Sequence, residues 1–551
     1  MKKIHQVLLI EPAAAGFHVF SRFKMPRLGL PLLGAILRQR GYEVKIHVGA
    51  FGKRDFQLHR GCDLVGLSTT TSTAPEAYRL ADQFRMMGKT VVIGGVHATF
   101  MPDEALEHGD YVVRGEGEDT FPELLRRIEN GEGCADLPGL SCRRESEVFH
   151  NAPGQLIQDL DRLPFPDFSL LTSKIKLWDI PIQTSRGCPY PCNFCSVTKM
   201  FGRKVRFRSA ENVIAELRQI PKPEVFFYDD NFCARPENTK ALLRDMLAEG
   251  IGLKYFSAQV RADVTRDLDL MELLCRAGCQ QVYVGFESIN PESLKAYDKR
   301  QTVDEISRSM EIFRRFKMHV HGMFVLGSDH DSPRTARETL RFARRHGIDT
   351  VQFMMLTPLP GTEFFQQLDA QGRIVSRDWS LYDAHHAVFL PQKMSPVRLQ
   401  KTTIAAMSRF YSWFAGLREL VKLNFFRTSR SLMGWYIIRR WKWENRGWIR
   451  RLRMLSLEAR RLRLQLKLEE IQHQLEERLK QIREGWTPVH AEIEDLRSRM
   501  NEQAAEIKQL ARETVAAVEK DLAVHERKIE ELAKSVRSII DQSGRALSSE
   551  A

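Results

Sequence analysis

Short β-branched runs alternate with stretches of helical spacing along the front of the chain. Val7–Ile10, Val44–Val48, Leu64–Ser68, Val91–Gly94 and Tyr111–Arg114 read as strands. Leu30–Arg40, ending at Gly41, and Ala74–Met87, ending at Gly88, read as helices. Five short apolar strands with helices between them predict an α/β fold with a Rossmann-like, doubly wound parallel sheet over residues 1–150. Ligands of such sheets sit beyond the carboxyl ends of the strands. Here those ends are small and rich in glycine or hydroxyl groups: STTTS with Ser68, Thr69 and Thr70, GGVHAT with Gly94 and Gly95, and GEGE with Glu116 and Gly117. Small residues let a ligand approach the backbone closely, so these seven are candidate binding residues.

A Pro-rich stretch, DLDRLPFPDF, marks a semi-rigid linker within 151–180. A second alternating region follows over 181–400. Its strands are expected at Ile182–Thr184, Val225–Tyr228, Tyr255–Gln259, Gln281–Phe286, Val320–Leu326 and Thr350–Met355. Six β/α repeats predict a partial (β/α)6 TIM-type barrel, whose chemistry sits at the strand carboxyl ends. Residues 401–455 are basic, aromatic and helical. Residues 456–545 carry apolar positions at heptad spacing, among them Leu464, Leu468, Ile471 and Leu475, then Ile493, Leu496 and Met500. That pattern predicts a coiled-coil tail turning near Pro488, with self-association or a coiled-coil partner.

Nine cysteines, mostly scattered, argue against a disulfide framework and for a reducing, cytoplasmic setting. The opening MKKIHQVLLIEP is broken by Glu11 too early for a signal peptide. No run of about 18 uncharged apolar residues exists to span a membrane. The net charge of +13 is local, because Gly416–Gln465 holds fourteen Lys or Arg against three Glu. With Trp435, Trp441, Trp443 and Trp448 among those charges, the segment is expected to lie peripherally on an anionic membrane surface. Packing of the aromatic residues on the barrel and binding of nucleic acid are the other readings.

Three cysteines break the scatter. Cys188, Cys192 and Cys195, in RGCPYPCNFC, are spaced C-x3-C-x2-C directly after the first barrel strand. Three thiolates on one loop suit a 4Fe–4S cluster with one iron left open for a cofactor. Structural zinc, the rival, wants four closed ligands, and Cys233 stands alone. Cys275 and Cys279 flank a helix end and read as small buried residues. His385 and His386 read as surface or packing residues. Arg261, past the third barrel strand, is placed to pair with a carboxylate. Glu287, past the fourth, is placed to accept bonds from hydroxyls.

RGCPYPCNFCSV, with Phe194 before the last cysteine, resembles the cluster motif of the radical S-adenosylmethionine enzymes. GLSTTTS, VVIGGVHAT, VVRGEGEDTF and the LDRLPFPDF linker resemble the cobalamin-binding members of that family, which include the anaerobic Mg-protoporphyrin monomethyl ester cyclase and various C-methylases. The likeness covers roughly residues 1–400. It implies that Cys188, Cys192 and Cys195 hold the cluster, and that S-adenosylmethionine chelates its open iron and is cleaved to a 5′-deoxyadenosyl radical. It implies further that Asp229 or Asp230 meets the amino group of that cofactor, and that Arg261, Glu287 and Phe194 line its site. The D-x-H-x-x-G signature of classical cobalamin proteins is absent from the first sixty residues, so cobalamin would be held without a histidine ligand.

The expected activity is C-methylation of an unactivated carbon on an apolar, lipid-like or small-molecule substrate, with an external electron donor such as flavodoxin or ferredoxin. An oxidative cyclase-type reaction, modification of tRNA, and a non-catalytic membrane-associated scaffold are the alternatives. The intact cysteine triad speaks against the last.

Overall fold

The computed structural model describes residues 3–16, 25–49, 61–144, 147–173, 177, 179–220, 224–484 and 490–547. The front apolar runs are buried on both faces, as strands between two helical layers must be. Strands β1 (Gln6–Glu11), β2 (Glu43–Val48), β3 (Leu64–Ser68), β4 (Thr90–Gly94) and β5 (Tyr111–Val113) are parallel, in the order 2-1-3-4-5. Alternate residues of β1 serve opposite cores. Val7 and Leu9 pack with Leu30, Leu37, Leu124 and Leu125, from helices Gly29–Gln39 and Thr120–Asn130. Leu8 and Ile10 pack with Tyr78, Ala81 and Phe84 of helix Ala74–Met86. The order reverses between β1 and β3, so the ligand crevice of this sheet lies at their carboxyl ends.

Two strands beyond the expected five complete the sheet. β6 (Leu140–Arg144) and β7 (Glu147–His150) add antiparallel at the β5 edge. β6 is buried over Leu140–Cys142, but LSCRR holds only one large aliphatic residue, and β7 is mostly exposed, so neither carries the apolar run of a buried strand.

The second sheet holds six parallel strands: β8 (Ile180–Ile182), β11 (Glu224–Phe227), β12 (Tyr255–Val260), β13 (Cys279–Glu287), β14 (His319–Leu326) and β15 (Thr350–Met355). They run in sequence from β8 to β15 without closing, a partial barrel. A small hairpin, β9 (Ser185–Arg186) and β10 (Arg206–Phe207), brackets the cysteine loop. It was not expected, since two-residue strands leave no periodicity to read.

Helices Pro396–Phe410, Trp413–Val421 and Phe425–Glu444 follow, and helix Trp448–Glu484 begins in the same compact unit, Met1–Ser456. Trp441 and Trp448 are buried there, correcting their expected place at a membrane surface. Trp448 donates to Gln400 at 2.7 Å, and the Trp441 ring lies 5.3 Å from that of His386. His385 and His386 are buried as well. His386 bridges Asp383 and Asn445, each at 2.9 Å.

The second unit, Leu457–Ala551, holds the rest of helix Trp448–Glu484 and helix His490–Leu547. Its heptad residues stay half-buried or exposed within the single chain, with Leu468 40% and Leu510 56% accessible. The turn expected at Pro488 lies outside the described residues. Among the described residues no helix is long and apolar enough to cross a membrane.

Candidate active site

The cysteine loop leaves β8 through Thr184 and the β9–β10 hairpin. Gly187 has φ +95°, and a Cβ there would stand 2.9 Å from the Lys204 carbonyl oxygen, so the returning limb of the loop tolerates only glycine. Cys188, Cys192 and Cys195 are half-buried and unbridged. The Cys195 amide donates to the Cys192 carbonyl at 3.1 Å, closing the last turn. Burial pushes all three thiols up, Cys195 to about 12. Such thiols keep their protons unless a metal cation takes the proton's place. Among the described residues no three His, Cys, Asp or Glu side chains converge on one ion position. A four-iron cluster takes each thiolate on a separate iron and leaves one iron open, so a set of three thiolates on one loop fits it.

The pair of acids after β11 divides. Asp229 is fully buried and accepts from the Thr184 amide at 3.1 Å, the Thr184 hydroxyl at 3.0 Å and the Ser185 hydroxyl at 2.5 Å. Its carboxylate ties β11 to the root of the cysteine loop and is engaged by the chain, which leaves Asp230 as the open member of the pair. Asp230 opens to solvent at the mouth. Desolvation by the surrounding chain, with the Asp229 carboxylate beside it, still pushes Asp230 up to about 7.

Arg261 lies across the loop with its guanidinium 3.7 Å from the Tyr190 ring centroid. It also contacts Asp263 at 3.3 Å and donates to the Lys299 carbonyl at 2.7 Å. Glu287 pairs with buried Lys299 at 2.7 Å. Its φ of +60° is a conformation a non-glycine residue adopts only under constraint. Phe194 meets Tyr297 edge-on at 5.1 Å, and Asn193 donates to the Ala296 carbonyl at 2.9 Å. Segment 296–299 therefore seats the loop. Tyr190, Asp263 and Lys299 were not foreseen. Tyr190 stands inside the motif and was open to notice, whereas Lys299 carries no local signal.

At the first sheet, several expected ligand residues hold the chain together instead. The Thr69 hydroxyl donates to the Gly94 carbonyl at 2.8 Å and accepts from the Ala98 amide at 3.1 Å. Gly95 has φ +94°, and a Cβ would meet the Thr69 carbonyl oxygen at 2.5 Å. These residues stitch the ends of β3 and β4. Thr70 caps a short turn with Thr73. Ser68 is half-exposed at its strand end, while a Cβ on Gly117 would touch only a Val113 methyl at 3.3 Å.

Glu116 is buried and receives two bonds from Arg206, at 2.7 and 2.8 Å, one from the Ile157 amide at 2.7 Å, and the charge of Arg186 at 3.3 Å. Arg186 also pairs with Glu118 at 2.6 Å. Glu116 thus binds the β9–β10 hairpin, and its carboxylate oxygens are already engaged by the chain. The open part of the crevice is the loop after β1, where Ala13–Gly16 are half-buried to exposed at the switch point. This run of small residues carries no motif that marks it in the sequence.

The ends of β1 and β11 come near one another. Tyr228, at the end of β11, feels Arg27, Glu11 and Asp230 together. Arg27 and Glu11 form an ion pair at 3.1 Å at the end of β1. Within the barrel, Phe226 reaches across β12 to Tyr283, with ring centroids 5.5 Å apart, and Tyr283 lies 5.0 Å from His321. Burial pushes His321 down to about 4, so the ring is neutral. The lumen is aromatic and uncharged at these positions.

Residues 182–343 match the Radical SAM superfamily, and residues 20–125 match the B12 binding domain. An uncharacterised methyltransferase of Pyrococcus horikoshii is 29% identical over 430 residues, covering 75% of this chain and 93% of the relative. The bacteriochlorophyllide d C-12(1)-methyltransferase of Chlorobaculum tepidum is 30% identical over 371 residues, covering 65% of this chain and 77% of the relative. Among solved structures, the cobalamin-dependent S-adenosylmethionine radical enzyme OxsB, with aqua-cobalamin bound, superposes with a TM-score of 0.61 at 17% identity. That match covers 79% of this chain and 72% of OxsB.

Proposed function

The chain belongs to the cobalamin-binding radical S-adenosylmethionine enzymes, and from that premise we propose that it replaces a hydrogen on an unactivated carbon of an apolar substrate by a methyl group. One observation carries the reading. The carboxyl ends of β1 and β11 lie close enough that Tyr228 feels the charges of the Glu11–Arg27 pair and of Asp230 together. When bound there, the 4Fe–4S cluster and S-adenosylmethionine supply hydrogen abstraction, and cobalamin supplies the methyl group.

The chain's own residues do the rest. Cys188, Cys192 and Cys195 are the cluster ligands, and Phe194 fixes their loop against Tyr297. Asp230, Arg261 and Glu287 face the S-adenosylmethionine side. The Ala13–Gly16 loop, Ser68, Gly94 and Gly117 border the corrinoid crevice. The aromatic lumen around Phe226, Tyr228 and Tyr283 receives an uncharged, apolar group and keeps water from it. An external flavodoxin or ferredoxin supplies the electron. The heptad face of the tail pairs with a second such helix, its own copy or a partner's. The charge of 416–465 keeps the protein at an anionic membrane surface.

The test is mass spectrometry of metabolites and lipids from cells with the gene, without it, and carrying Cys192→Ala. A compound heavier by one methylene, present only with the intact gene, is expected. A product that differs by loss of hydrogen or gain of oxygen, with no added carbon, would overturn methylation in favour of oxidative cyclisation.

A further inference from the structure

Helix Trp413–Val421 is folded inside out. Its inward face is Gly416 and Glu419. The glycine lets Leu432 of the next helix come within 3.0 Å of where a Cβ would stand, and Glu419 is buried between Arg418 and Lys422. Its outward face carries Trp413, Phe414, Leu417 and Val421 at helical spacing, 53%, 79%, 47% and 78% accessible. Leu423 and Phe425 continue the strip at 74% and 68%. Among the other described residues of this unit large exposed apolar side chains occur singly or in pairs, as at Met86, Met87, Phe149 and Leu268, which is ordinary for a protein surface. A run of this density marks a contact site.

The strip lies at the strand-start end of the barrel. Phe426 stacks on His319 at 4.0 Å, Arg427 pairs with Asp349 at 2.8 Å, and the Tyr411 hydroxyl donates to the Val351 carbonyl at 2.7 Å. All three anchors are at the starts of β14 and β15, whereas the cysteine loop follows the end of β8. The rim is cationic. Arg344 is held down by burial and then by repulsion from Arg418 and Arg409, so guanidinium groups crowd beside the strip.

We propose that this strip, with Arg344, Arg409, Arg418 and Lys422 around it, docks on the headgroup region of an anionic bilayer, the strand starts toward lipid and the cysteine loop away from it. The proposal rests on the reading of the protein as membrane-peripheral and gives that reading a surface. It also moves the contact from the tryptophans of the 435–448 stretch to residues 413–425. A nine-residue helix is too short to span and lies in the interface instead. Tryptophan and phenylalanine prefer that depth, and anionic headgroups answer the arginines. A second copy related by a two-fold axis would set arginine against arginine. Single-stranded nucleic acid would use the aromatic rings but not the leucine and valine positions.

Flotation of the full-length protein with phosphatidylglycerol vesicles at low salt tests it, with phosphatidylcholine vesicles alongside. The wild type is expected to float only with the anionic lipid and to be released by salt. Trp413→Ser/Phe414→Ser/Val421→Ser and Arg344→Gln/Arg409→Gln are each expected to reduce the bound fraction at least tenfold with unchanged circular dichroism, while Trp443→Ser changes nothing. If the wild type floats and both strip variants float equally well, the assignment of the surface is wrong although the membrane reading stands. If the wild type does not float, the membrane reading fails and the proposal with it. If the strip variants instead convert a dimer to a monomer on gel filtration, a second copy is the occupant and the proposal is overturned.

Discussion

A carboxylate without access to water takes its hydrogen bonds from the chain, and Asp229 takes them from the two residues that launch the cysteine loop. Asp229→Asn puts a donor where at least one donor already points. About 1–3 kcal/mol of stability is expected to go with the unsatisfied groups. The loss falls on the root of the loop, so anaerobically purified D229N should retain less iron than wild type, measured per chain. Iron content equal to wild type would show that the loop needs no such tie. The neighbouring Asp230 was indistinguishable from it in sequence, since both follow the same strand. What separates them is a Thr184 amide 45 residues away in the chain. The same holds for Thr69, whose hydroxyl is claimed by Gly94 and Ala98, and for Glu116, claimed by Arg206. The three cysteines were legible because their chemistry is written within eight positions.

At the level of elements, strands buried on both faces announce themselves by composition, and all eleven parallel strands fall close to where the apolar runs placed them. Hairpin edges such as β6–β7 and β9–β10 do not, because short or half-exposed strands need no such run. The basic aromatic stretch misled for a related reason. Periodicity says that a helix has an apolar face, but not which neighbour covers it, and here Trp441 and Trp448 turn inward while Trp413 and Phe414 turn out. The inward turn is fixed partly by His386, which joins Asp383 to Asn445 near the end of helix Phe425–Glu444. Burial works against the charged ring, but the Asp383 carboxylate overrides it and raises the His386 pKa, while Asp383 itself is lowered. The pair therefore contributes fully between the unfolded values of Asp, about 3.9, and His, about 6.5. Its contribution fades as pH rises through the raised value of His386, or falls through the lowered value of Asp383. Thermal midpoints followed from pH 6 to pH 9 should decline more steeply for wild type than for His386→Gln; parallel curves would rule the pair out as the cause.

Across the whole molecule, the buried cluster of Glu116, Glu118, Arg186 and Arg206 is the joint between the first sheet and the hairpin that carries the cysteines. Removing one member of a buried ion pair costs about 3–5 kcal/mol, because its partner is left charged and dry. Glu116→Gln should lower the thermal midpoint clearly. Glu116→Gln/Arg206→Met should recover part of that loss, since it removes the stranded charge as well. A double variant no more stable than the single one would contradict this account. The joint also bears on inheritance. Two proteins of this kind that traded their front halves, by recombination or in the laboratory, would trade one side of a lock without its key. Such a hybrid works only if GEGE and the two hairpin arginines travel together, so the two halves should descend as one unit, not as interchangeable parts.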